Sequence, residues 1–237
     1  MSLRLSKRVL LRTFDHLYAQ HGPQHWWPGE TPFEVMVGAI LTQNTAWTNV
    51  ERAIANLRQA DCLTPECLLA TDFDQVADWL RPSGYFNIKT RRLREFCVWY
   101  LDQGGYARLR RRRTHTLRTA LLGVRGIGPE TADDILLYAF NRPVFVIDAY
   151  TRRLLTRLGL IAGDEPYDSL RLAVEAALPG DVRLFNEYHA LIVNHAKDYC
   201  RPKPRCEACR LRRGCGGVPE VSRRMGGAQR NPSRRGK

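Results

Sequence analysis

Apolar residues recur at spacings of three and four over 5–18, 33–41, 50–57, 93–101, 117–122 and 131–140, and each stretch predicts an amphipathic helix. Only "PVFVI", 143–147, looks strand-like. Turn-forming clusters separate the periodic stretches: "RPSGY" at 81–85, "DQGG" at 102–105 and "ALPGD" at 177–181. The pattern predicts an all-α fold, and no internal repeat stands out.

Composition narrows the class. A chain of 237 residues, 44% of them hydrophobic, can bury a core as one larger or two small domains, which excludes disorder throughout. No apolar run approaches the roughly 20 residues that span a bilayer. The start, "MSLRLSKRVLLRTF", shows no small-residue cleavage site, so a soluble, cytoplasmic protein with no membrane partner is expected.

The formal net charge of +13 is unevenly spread. Arg108 and Arg110 to Arg113 form one cluster; from Arg201 to Lys237 twelve Lys and Arg face only Glu207 and Glu220. Such clusters suggest a polyanion, most commonly nucleic acid, although solvated charge that aids solubility gives the same composition. Residues 217–237, poor in apolar side chains and rich in Gly, Arg and Ser, predict a disordered basic tail.

Three motifs carry chemistry. In "LLGVRGIGPETADDILLYAF", 121–140, a helix ends at Gly126-Ile127-Gly128 and Pro129 opens the next. Two glycines that can take positive φ allow close backbone approach, the isoleucine between them can anchor the turn, and free N–H groups at the helix start suit a phosphate. Downstream, Asp148 ends an apolar run and heads an amphipathic helix, either as a plain N-cap or as a carboxylate held for catalysis. The cysteines of C-x5-C-x2-C-x5-C, Cys200, Cys206, Cys209 and Cys215, form a compact soft-metal loop suited to iron–sulfur or zinc. Cys62, Cys67 and Cys97 read as ordinary buried thiols.

Together these residues resemble the helix-hairpin-helix DNA glycosylase superfamily, the endonuclease III group, from about residue 33 to Cys215. The resemblance implies two helical domains with a DNA-binding cleft between them: a barrel over 31–140 containing the hairpin, and an N/C-terminal domain from 1–30 and 141–216 carrying a [4Fe–4S] cluster. Gly126, Ile127 and Gly128 would grip DNA backbone, as would Arg201, Lys203 and Arg205 in the cysteine loop. Asp148 would be catalytic, in a base excision repair enzyme acting as a monomer on double-stranded DNA containing damaged bases, in the cytoplasm at the bacterial nucleoid. Where bifunctional members carry a lysine that forms a Schiff base, this chain has Glu130, which cannot form an imine; a monofunctional glycosylase follows.

Within the group, "WWP" ahead of "PFEVMVGAILTQNT" is similar to the 3-methyladenine DNA glycosylase III type. Trp26, Trp27, Pro28 and Trp47 would then form an aromatic slot for a cationic alkylated purine, with Trp26 contributed by the N/C-terminal domain and Trp47 by the barrel. Gln43 or Asn44 would fill the gap left by the flipped base. The alternatives are a monofunctional mismatch glycosylase acting on T or U opposite G, a non-catalytic lesion-binding protein, and a zinc-binding regulator.

Overall fold

The computed structural model describes residues 3–26 and 29–217, and the regular structure among them is helical. In chain order the helices are α1 (Lys7–His21), α2 (Pro32–Leu41), α3 (Trp47–Gln59), α4 (Pro65–Ala70), α5 (Phe73–Leu80), α6 (Phe86–Asp102), α7 (Gly105–Leu109), α8 (Thr114–Leu122), α9 (Pro129–Asp134), α10 (Ala149–Arg157), α11 (Tyr167–Ala177) and α12 (Val182–Asp198). Helix α9 runs on into a wider turn, Ile135–Ala139, where the Phe140 amide reaches back five residues to the Ile135 carbonyl.

Local chemistry sets the helix starts. Thr31 caps α2 by accepting the Glu34 amide, with Pro32 in the first turn; Thr64 and Pro65 do the same for α4, and Asp72 caps α5. No strand forms at 143–147. Val144, Phe145, Val146 and Ile147 are all buried, so this apolar run is an extended connector enclosed on every side rather than one edge of a ladder.

The chain divides into two compact units. One comprises Met1–Gln24, Ile147–Pro179 and Glu187–Lys237, the other His25–Val146 and Gly180–Asn186, so far as their residues are described. In the second unit α2 is buried nearly all round, with Met36, Val37, Ile40 and Leu41 wholly inaccessible, and it packs against α3, α6 and α9. Each such side chain contributes roughly 1.5–3 kcal/mol by leaving water. At the end of α2, the buried Lys89 donates from Nζ to the carbonyls of Leu41 (2.8 Å) and Ser83 (2.6 Å). Burial, aided by the nearby Arg92, lowers this amine to about 8.

In the first unit, Tyr188 of α12 is fully buried and donates its hydroxyl to the Leu10 carbonyl (2.9 Å) while Phe14 meets its ring edge-on. Two of the expected free thiols are instead joined. Cys62 and Cys67 form a disulfide, because the reversal after α3, with Asp61 at φ 48°, brings their Cα atoms within 5.2 Å. Cys97 is a buried thiol, pushed up to about 12 by that burial.

Candidate active site and nucleic-acid interface

The hairpin between α8 and α9 is a built structure. Its two legs are clamped by Arg118, whose Nε lies 2.7 Å from Oδ1 of the fully buried Asp133, with a second guanidinium nitrogen 3.1 Å from Oδ2. Ile127 is 5% exposed and anchors the turn as its position between the glycines suggests. Gly126 sits at φ 90°, and a Cβ there would lie 2.5 Å from Arg92 Cγ, so glycine is required twice over. Gly128 corrects the expectation of two positive φ values. Its φ is −89°, it caps α9 through an extended conformation, and a Cβ added there would meet nothing within 4 Å.

The loop after α2 separates the two candidate wedge residues. Gln43 is fully engaged: Nε2 donates to the Gly126 carbonyl (3.0 Å) and to Thr131 Oγ1 (2.9 Å), and Oε1 accepts from Arg92. Asn44 is exposed and left-handed, at φ 55°, a conformation that asparagine tolerates better than most residues. Tyr85, at φ 46° and 69% exposed, presents an aromatic ring to solvent.

The tryptophans have partners of their own. Trp26 lies 6.1 Å, ring centre to ring centre, from Tyr138 in the wide turn following α9. Trp47 is half-buried, with Nε1 donating to Glu51 (2.9 Å) and its ring against Gly38, where an added Cβ would approach Cη2 to 3.3 Å. Trp26 and Trp47 belong to the same unit, which corrects the expectation that they come from different domains. The chain passes from one unit to the other just after Gln24, whose amide donates to Glu187 and whose side chain accepts from Asn194. Trp27 and Pro28 lie outside the described residues, as does the basic tail from residue 218 onward.

Asp148 is both a cap and a polarised carboxylate. Oδ1 accepts the Thr151 amide at 2.6 Å, and Oδ2 lies 3.5 Å from Nε2 of His189, which α12 brings over α10. The side chain is 12% exposed. Burial alone raises its pKa, but His189 and the Thr151 donors outweigh that effect and hold it below the ordinary carboxylate value of 3.8. It is therefore anionic at neutral pH in a site nearly free of solvent.

Cys200, Cys206, Cys209 and Cys215 line one small pocket with Arg157, His195, Tyr199 and Pro204. Among the described residues no three His, Cys, Asp or Glu side chains close on a point that would hold a single ion. Four thiols around a shared cavity, with no carboxylate in its lining, nevertheless fit a multi-iron cluster, which holds its ligands farther apart than one ion does. Burial pushes Cys209 up to about 11 and raises Cys206. Arg157 fixes the loop by donating to the carbonyls of Cys200, Arg201 and Pro202, leaving Arg201, Lys203 and Arg205 exposed.

The structure adds Tyr138, His189, Arg92 and Lys89 to the expected residues. His189 could have been found from its place in "YHALIV", since a histidine inside an otherwise apolar helical stripe needs a polar partner. The other three are revealed only by tertiary contacts.

Residues 37–179 match the family described as HhH-GPD superfamily base excision DNA repair protein. Over 210 residues the chain is 43% identical to MJ1434 of Methanocaldococcus jannaschii, whose name assigns it provisionally to the DNA repair glycosylases; the match covers 87% of this chain and 96% of the relative. Among solved structures, the H. pylori 3-methyladenine DNA glycosylase MagIII bound to 1,N6-ethenoadenine is 29% identical, covers 81% of this chain and 98% of its own, and has a TM-score of 0.71. An endonuclease III bound to DNA has a TM-score of 0.78 over 93% of this chain and 99% of its own, at 20% identity. The chain therefore belongs to the HhH-GPD superfamily of base excision DNA repair proteins, as a DNA N-glycosylase related to endonuclease III.

Proposed function

We propose that the protein is a monofunctional glycosylase that flips alkylated purines of the 3-methyladenine kind out of duplex DNA and releases them by hydrolysis. The observation that carries this reading is Asp148, a buried carboxylate held anionic by His189 and the Thr151 amide, in a chain whose hairpin exit offers Glu130 in place of an amine. As the C1′–N bond breaks, the base leaves with the bonding electrons and positive charge builds on the sugar; the Asp148 anion stabilises that charge. Water then bonds to C1′, and its proton passes to Asp148 and on to solvent. An N-alkylated purine such as 3-methyladenine is already cationic in DNA and leaves without protonation, so it needs no separate general acid, whereas the uncharged ethenoadenine lacks that help and should leave more slowly.

Hairpin residues 126–128 and the exposed Arg201, Lys203 and Arg205 would hold the backbone, with Gln43 or Asn44 entering the stack. Trp26 beside Tyr138 supplies aromatic surface for the extruded base. The 29% identity with a MagIII chain bound to ethenoadenine supports an alkylpurine over a pyrimidine. Cys200, Cys206, Cys209 and Cys215 would hold a [4Fe–4S] cluster, whose contribution is to fix the cationic loop in shape.

The test is base release from duplexes carrying 3-methyladenine, ethenoadenine or a T:G mismatch, with borohydride trapping on abasic DNA. Release from the first two without trapped complex is expected. Release confined to T:G would replace this reading with the mismatch alternative, and tight binding without any release would remove catalysis altogether.

A further inference from the structure

We propose that His195, aimed by His21, is a positioning residue of the cysteine loop: it donates a hydrogen bond to the Cys209 thiolate and raises the reduction potential of the bound cluster. The inference rests on the [4Fe–4S] assignment above and concerns how this chain's own side chains serve that group. His195 belongs to α12, is 1% exposed, and lines the same pocket as the four cysteines. Its Nε2 lies 3.5 Å from Cys209 Sγ, a length suited to sulfur as the acceptor. Its Nδ1 lies 3.1 Å from Nε2 of His21, the last residue of α1. Both rings are held in place. Tyr199 stacks on His195 with ring centres 5.5 Å apart, and His21 meets the His195 ring edge-on at 5.4 Å. Two histidines distant in sequence thus line up on one sulfur.

The direction of these bonds follows from counting protons. A neutral imidazole carries one N–H, and the bond made by one ring nitrogen fixes the role of the other. Only one proton fits between His195 Nδ1 and His21 Nε2. A metal-bound cysteine is a thiolate, an acceptor with no proton to give. His195 therefore carries its proton on Nε2, facing Cys209, and accepts at Nδ1 from His21. Asp198 does not compete for the His21 proton, because its Oδ2 is 3.9 Å from His21 Nδ1, too far for a direct hydrogen bond, and its side chain is 63% exposed. Arg157 makes the corresponding contact to Cys200, 3.2 Å from Sγ, but from a charged side chain that is only half-buried. His195 acts where water is excluded, and there a dipole aimed at sulfur has more effect than it would in water. Reduction adds negative charge to a cluster and its sulfurs, so a donor fixed at one sulfur favours the reduced form.

The experiment uses the full-length, cluster-loaded protein and reads the cluster rather than base release. Iron and labile sulfide per chain are measured first, in the parent and in every variant. His195→Phe keeps a ring against Tyr199 but has no donor. At a fixed potential it should shift the ratio of reduced to oxidised cluster about tenfold toward oxidised, which is about 59 mV downward for a one-electron couple. His195→Gln, which returns an amide N–H to the sulfur, should recover most of that shift. His21→Phe should shift the ratio in the same direction by less, and combining it with His195→Phe should go no further than His195→Phe alone, as expected for residues acting through one bond. An independent readout is pulsed electron paramagnetic resonance of the reduced parent, isotopically labelled at histidine nitrogen alone. The spectrum should show a histidine nitrogen coupled to the cluster, and His195→Phe should lose it. Where His195→Phe fails to load, the parent spectrum and the His21→Phe potential decide. An unchanged potential in loaded His195→Phe, a parent spectrum without histidine coupling, or additive shifts in the double variant would overturn the proposal. A parent holding zinc in place of iron and sulfide would instead reject the cluster assignment itself, and this inference with it.

Discussion

Replacing Asp148 by asparagine separates its two roles. Asparagine caps a helix about as well as aspartate, so the bond from the Thr151 amide survives and the fold should change by less than about 1 kcal/mol at neutral pH. What disappears is the charge. A unit anion about 4 Å from a developing cation, at an effective dielectric of about 20, contributes roughly 4 kcal/mol, equivalent to about a thousandfold in rate. Single-turnover release from methylated duplex should therefore fall by about that factor in Asp148→Asn, while affinity for an abasic-analogue duplex stays near normal. Because the native carboxyl titrates below its ordinary 3.8, its contribution to stability is fully present above that value and fades as pH falls through the native pKa. The small stability gap between parent and variant should accordingly close in acid, and the parent's release rate should be flat across neutral pH with its acid limb below the usual carboxylate range. A variant retaining release within tenfold of the parent would refute the electrostatic role of Asp148.

Trp26→Ala should reduce alkylpurine release by roughly 5- to 150-fold, the equivalent of about 1–3 kcal/mol of base stacking, with Trp26→Phe recovering most of it; unchanged release in Trp26→Ala would make that ring plain core. Trp47→Ala should act first on stability, since its ring covers Gly38, and a lowered melting temperature with release preserved in the surviving fold would confirm this. Lys89 titrates at about 8 in the fold and at 10.5 when unfolded, so between those values the unfolded chain binds more protons and stability rises with pH. Denaturant midpoints measured across that window should show this rise in the parent and lose it in Lys89→Met. Cys206→Ser should abolish the visible iron–sulfur absorbance and the iron and labile sulfide content, while zinc in the purified parent would contradict the cluster assignment.

Helices were legible where an apolar stripe faced one core and polar residues faced water, as in α1, α3 and α6. They were hidden where that contrast failed. The six residues of α4 and eight of α5 complete too few turns for a period to register. In α12 the stripe is broken by His189 and His195, both buried: one serves Asp148 and the other stands 3.5 Å from Cys209 Sγ. The polar residues that obscured the helix are thus the ones that equip the site. The 143–147 run misled for the converse reason, since burial on all sides yields β-branched continuity without a strand.

The same logic sharpens the reading of "LTQNTAW". From sequence, Gln43 and Asn44 are two adjacent amides with equal claims, because hydrogen-bond capacity is visible there and its use is not. In the fold, Arg92 fills the space beside Gly126 that a Cβ would need, and the same Arg92 donates to Gln43 Oε1. The requirement for glycine in the hairpin and the engagement of Gln43 are therefore one structural fact seen from two places in the chain. Asn44, by contrast, is exposed and left-handed, and its side chain makes no hydrogen bond among the described residues. Asn44→Ala and Gln43→Met, compared in extrusion of a fluorescent base from a duplex, should therefore assign the gap-filling role to one of them: the variant that slows extrusion at least tenfold marks the filling residue, and equal slowing in both would refute a single-residue role.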